Sequence, residues 1–161
     1  MKQFALPLAL VALTSTLIGC AAPVDTPQDP AAVSVGWTAE PGEQAQHCAR
    51  VVTDGGFDIA RISVTAPAGT ERITAWYADA TSNLVADGDC PSVDPSGLLF
   101  DGLDSLKMPA SVALPVPAGK QLWLRATIYN DSAVTLTGTS GLTFKTTETA
   151  TEHADVVSLA A

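Results

Sequence analysis

The chain has 161 residues, with 17 Asp and Glu against 8 Lys and Arg, for a formal net charge of -9. Basic residues are few and scattered along it, with no cationic stripe, which argues against nucleic acid as a partner. Once a leader is set aside, about 140 residues remain, enough for one domain with a real core.

Residues 1–19 read as a lipoprotein signal peptide. Lys2 supplies the positive start, and Phe4 to Thr14 form a short apolar run. Leu17, Ile18, Gly19 and Cys20 follow as a bacterial lipobox, with a small residue before the thiol that takes the lipid. The competing readings are an ordinary secretory signal cut near Ala22, or a membrane anchor. The apolar run is too short and too interrupted for a good span. Residues 20–31 then hold the lipidated Cys20 and a tether containing Pro23, Pro27 and Pro30. Such a tether gives reach and little else. Ala21 follows the lipidated cysteine where an Asp would signal retention, so sorting to the outer membrane is expected in a Gram-negative host. A single lipidated cysteine anchors a protein without spanning the bilayer.

With Cys20 taken by lipid, Cys48 and Cys90 remain, and two thiols in an oxidising compartment are expected to pair. The alternative is a two-cysteine metal site, which needs further soft ligands at suitable spacing, and none is present.

Residues 32–161 read as a single β domain. Ala32 to Thr38, Gln46 to Thr53, Phe57 to Ala66 and Arg72 to Ala78 have strand character between Gly and Pro turns. A change of parity within the third predicts a bulge near Ala60 and Arg61. Ala80 to Ser105 reads as a long surface excursion pinned at Cys90. Its Asp87, Asp89, Asp94, Asp101 and Asp104 raise calcium as a ligand. Their spacing matches no EF-hand loop, and solvated turn aspartates are the plainer reading.

The richest stretch is Val112 to Lys145. Within it Leu122, Leu124, Ala126 and Ile128 alternate with Trp123, Arg125, Thr127 and Tyr129, the period of an antiparallel strand. Two hairpins are expected, one turning at Pro117 to Gly119 and one at Gly138 to Gly141. The tail from Glu148 either forms a further short strand or frays. About eight short strands without an amphipathic helix predict an all-β antiparallel sandwich of jelly-roll type with one disulfide.

Three pieces carry a family resemblance. They are Pro67-Ala68-Gly69-Thr70 ahead of an apolar strand; Cys90 followed by Leu106-Lys107-Met108-Pro109; and Val116-Pro117-Ala118-Gly119 with Leu122-Trp123-Leu124, Ile128-Tyr129-Asn130, Leu136 to Gly138 and Ser140-Gly141. In that order they resemble the N-terminal domain of the copper type II, ascorbate-dependent monooxygenases. That family includes the peptidylglycine and dopamine hydroxylases and bacterial, myxobacterial-type lipoprotein relatives. The resemblance covers Gln46 to Val156 and implies a jelly-roll sandwich holding one copper through three histidines. The corresponding positions here are Glu71, Arg72 and Thr127. Imidazole is a neutral nitrogen donor suited to copper, whereas Arg72 has no lone pair to give. His47 and His153 are the only 2 histidines, too few to rebuild the site. Arg72 is expected near Thr127, where the two could satisfy each other or nearby carbonyls.

No catalytic residues and no cofactor are therefore expected. The leading expectation is a lipid-anchored, non-catalytic envelope protein that binds or supports a protein partner. A second is a monooxygenase-like enzyme holding copper through unusual ligands. A third is an unrelated sandwich that binds glycans or surface proteins, with Trp37, Trp76 and Trp123 as candidate contacts and Trp123 foremost.

Overall fold

A computed structural model of the chain describes residues 32–53, 55–79, 90–91 and 97–154. The leader, Cys20, the tether, Asp87, Asp89, Asp94 and the tail from residue 155 lie outside the described residues.

Ten strands and no helix are formed by the described residues. They are β1 (Ala32–Ala39), β2 (Gln44–Val52), β3 (Phe57–Thr65), β4 (Thr70–Asp79), β5 (Leu98–Gly102), β6 (Leu106–Lys107), β7 (Val112–Val116), β8 (Lys120–Tyr129), β9 (Leu136–Thr147) and β10 (Glu152–His153). The first sheet runs β1-β9-β3-β7-β10, with β6 also paired to β3. The second runs β2-β8-β4-β5. Pairing is antiparallel except for β10 against β7.

The strand β8 shows why the two sheets close on each other. Leu122, Leu124, Ala126 and Ile128 are fully buried on its inner face. They join Ile73, Ala75 and Phe100 of the second sheet, and meet Val33, Ile59, Ile62, Leu142 and Phe144 of the first, in one core cluster. Alternation puts every second side chain inward, so the strand pattern alone builds half the core. The Leu, Ile, Val and Phe side chains among them contribute about 1.5–3 kcal/mol each when fully buried.

Glycine supplies the backbone freedom at the turns. Thr70 N donates to Pro67 O at 3.0 Å, with Gly69 at φ 92°. Glu43 N donates to Glu40 O at 3.0 Å, with Gly42 at φ 78°. Both have the Pro-x-Gly or Pro-Gly order of a type II turn, whose third residue needs a positive φ. The bulge predicted in β3 is present, since the pairing with β9 shifts between Ile59 and Arg61.

Four expectations are corrected. The Pro117 to Gly119 turn does not make a hairpin, because β7 belongs to the first sheet and β8 to the second. A tight turn reverses the chain equally well within a sheet and between sheets. The second hairpin is also absent: β9 is one strand running through Gly138 and Gly141. These glycines mark close approach of neighbours. A Cβ on Gly138 would lie 2.6 Å from the Trp37 ring, and one on Gly141 would lie 2.7 Å from Ser34 Cβ. The excursion contains a strand, β5, paired with β4. Finally, ten strands replace the expected eight or so, through this strand and the two-residue β6 and β10.

Candidate functional site

The three positions that the resemblance aligns with copper ligands lie on β4 and β8. Arg72 and Thr127 are direct cross-strand partners, as expected. The register shifts between Thr70 and Arg72, so Glu71 is the extra residue of a bulge and is exposed. Arg72 does not use Thr127 as its partner. Its guanidinium forms a two-pronged ion pair with Asp101 of β5, with Nε donating to Oδ1 at 2.5 Å and Nη2 donating to Oδ2. Thr74 Oγ1 donates to the same carboxylate at 3.3 Å. The hydrogen bonds and charge of Arg72 hold the Asp101 carboxyl below its ordinary pKa, against the opposing effect of burial. The same hydrogen bond and charge push Arg72 above its already high value.

These residues sit on the outer face of the second sheet. Cross-strand pairing places Cys48 beside Arg125, and Arg125 beside Thr74. One step along, Trp123 faces Trp76. The two indoles stack with centroids 6.0 Å apart and planes 13° apart. Arg125 lies over Trp76 at 5.3 Å and Arg50 over Trp123 at 5.9 Å. Arg125 Nη2 also donates to Pro91 O at 2.9 Å. Cys48 and Cys90 form a disulfide with Cα atoms 5.1 Å apart. It packs against the tryptophan pair, so Cys90 and Pro91 of the excursion are fixed over this face.

Trp123 is thereby corrected as a ligand contact. It is only 2% exposed, because β8 is an inner strand and its outward side is covered as well. Its Nε1 donates to Gln121 Oε1 at 3.3 Å. Trp37 and Trp76 are buried too, and Trp37 Nε1 donates to Ser140 Oγ at 2.8 Å. All three tryptophans serve packing, and Trp37 and Trp123 also set their N–H against an acceptor.

The two histidines do not meet. His47 pairs in register with Ala126 on the inner side of the second sheet, and its Nε2 is buried with no hydrogen-bond partner among the described residues. His153 lies on β10 in the first sheet, its Nε2 3.1 Å from Asp58 Oδ2. Among the described residues, no three His, Cys, Asp or Glu side chains converge to hold a metal ion. Of the aspartates raised for calcium, Asp101 is committed to Arg72 and Asp104 is exposed. Met108 packs against the main core as a half-buried side chain.

Compared with known proteins, the chain matches no family model, no curated protein and no solved structure.

Asp101 is the residue that sequence reasoning placed in the wrong role. The signal was available: Leu98, Leu99 and Phe100 directly before it form a short apolar run of strand type, which would have put Asp101 on a sheet rather than in a solvated loop.

Proposed function

We propose that this chain is a lipid-anchored cell-envelope protein of the outer membrane. Its sandwich, a degenerate relative of the copper monooxygenase jelly roll, acts as a non-catalytic binding or structural module for an envelope partner. Cysteine usage carries the reading. Cys48 and Cys90 are joined, which leaves Cys20 as the third and last thiol of the chain, directly after Leu17-Ile18-Gly19. A disulfide suits export, and an unpaired cysteine at the end of an apolar leader suits lipid attachment.

The non-catalytic part rests on Arg72. A permanently charged guanidinium held by Asp101 stands where the resemblance would need a neutral nitrogen donor, and it cannot ligate copper. Thr127 beside it offers only a hydroxyl. The site is a cross-strand ion pair that stitches β5 to β4.

Labelling with a radioactive fatty acid in a bacterial host, followed by membrane fractionation, tests the anchor. The wild-type chain is expected to take up label and sediment with the outer membrane. Cys20→Ser is expected to lose both. Label retained by Cys20→Ser, or a wild-type chain without lipid, would overturn the reading.

A further inference from the structure

Of the chain's 8 Lys and Arg residues, all but Lys2 lie in the described residues. Four of these have partners. Arg72 pairs with Asp101 and Lys120 with Asp79, while Arg50 and Arg125 lie over tryptophan rings. The remaining three, Arg61, Lys107 and Lys145, form no ion pair or hydrogen bond among the described residues. They are far apart in sequence, yet the fold gathers them. Arg61 on β3 is the direct cross-strand partner of Lys145 on β9 and of Lys107 on β6. Direct partners point to the same side of a sheet. All three are exposed, in one row, on the outer face of the first sheet.

Such a row is unfavourable by itself. Neighbouring strands are about 4.8 Å apart, so each adjacent pair of positive charges falls within the screening length of about 8 Å in physiological salt. Like charges directly opposite each other destabilise a sheet. Among the described residues, no Asp or Glu lines the groove that these cations border.

That groove has a volume of about 440 Å³ and is also lined by Ser111, Thr147 and Thr149. Its wall is built rather than loose. Val112 N donates to Pro109 O at 3.2 Å, closing a turn in which Ser111 stands at φ 67°, a left-handed conformation that a residue with a side chain adopts at a cost. Ser111 O accepts both Thr151 N at 2.9 Å and Glu152 N at 3.1 Å, and Met108 N donates to Ala60 O at 3.0 Å. Turn, bulge and tail are thus tied around the three cations.

We propose that this groove is a binding site for a phosphate monoester. A phosphomonoester carries a charge of about -1.5 to -2 and three strong acceptor oxygens. Three separate cations can meet that charge from different directions, with the Arg61 fork taking two oxygens and Lys107 and Lys145 acting as point charges. A monocarboxylate would neutralise only one of them. The volume lies in the ordinary range for ligand pockets and leaves room for a small organic group on the phosphate. The group could belong to a soluble ester or to a lipid headgroup. The site stands on different residues from the lipid anchor and goes beyond it, so each can fail alone.

The test is calorimetric titration of the full chain, disulfide intact and in a zwitterionic detergent, with glycerol 3-phosphate at constant ionic strength. One saturable site per chain is expected. Arg61→Gln and Lys145→Gln should each weaken it about tenfold or more. Without ligand, the same variants should raise Tm by about 1–2 °C, because repulsion is relieved; a purely structural role for these residues would lower it. A second arm compares co-sedimentation of wild type and Arg61→Gln with phosphatidylcholine vesicles, with and without phosphatidic acid. A phosphatidic acid dependence lost in the variant identifies a lipid headgroup as the source. Binding of glycerol 3-phosphate without that dependence identifies a soluble ester. The proposal is overturned by absence of saturable binding in both arms, by equal binding of acetate or citrate, or by variants that bind as wild type does.

Discussion

The two outer faces of the sandwich use positive charge in opposite ways. On the second sheet every described cation has a partner: Arg72 has Asp101, Lys120 has Asp79, Arg125 has Pro91 O and the Trp76 ring, although its Nε stays without an acceptor among the described residues, and Arg50 has the Trp123 ring. On the first sheet Lys145, Arg61 and Lys107 stand side by side without a counter-charge among the described residues. The difference teaches where to look for function. Charges that are paired and laid over aromatics lower the free energy of the fold. Charges set against each other raise it, and that cost is recovered only when something negative arrives.

Four perturbations sharpen or break that contrast. Replacing both Cys48 and Cys90 by Ser should have the largest effect. The closed loop spans 42 residues in sequence, for which chain entropy gives about 4 kcal/mol; denaturant unfolding measures it. A loss under about 1 kcal/mol would mean that the covered face is not held by this bond. Trp123→Ala should cost about 3 kcal/mol or slightly more, since it removes a buried ring, a stacking partner and the seat of Arg50. Unchanged stability would return Trp123 to the role of an exposed contact.

Gly138→Ala should cost about 1–3 kcal/mol, because the new methyl overlaps the Trp37 ring and the surroundings must shift. The indole fluorescence of Trp37 should change with it. Asp101→Asn should cost least, about 1 kcal/mol or below, because Arg72 is largely exposed and solvent screens the pair. Its signature is in pH. The folded pKa of Asp101 is depressed, so its contribution is fully present above the unfolded value near about 3.9. It is lost as pH falls through the lower folded value. Wild type and Asp101→Asn should therefore differ in stability at pH 7 and converge in strong acid. A gap that persists there would mean that the ion pair is not what the substitution removed.

Much of this was legible in the chain. The alternation from Leu122 to Tyr129 sorted one face into the core and the other onto the Trp76 and Thr74 side, because strand periodicity is a local property. The type II turns at Gly42 and Gly69 and the bulge after Ile59 were equally local. What escaped depended on partners distant in sequence. The reversal at Pro117 to Gly119 carries no information about which sheet the next strand joins. Gly138 and Gly141 resembled a turn because a glycine that admits a neighbouring ring looks the same in sequence as one that bends the chain. Arg72 was placed beside Thr127 correctly, but its carboxylate lay 29 residues away on a strand hidden in an acidic excursion. The cation row escaped for the same reason, since Arg61, Lys107 and Lys145 are neighbours only in the sheet.

The central functional claim is that Arg72 and its surroundings form a structural ion pair and not a metal centre. Titration of the full chain with Cu(II) and Cu(I), disulfide formed, followed by desalting and metal counting, tests it most directly. The expected result is no stoichiometric copper, in the wild-type chain and in the His47 and His153 variants alike. One tightly held equivalent per chain, lost when either histidine is replaced, would contradict the account and make ascorbate-dependent oxygen consumption the activity to measure.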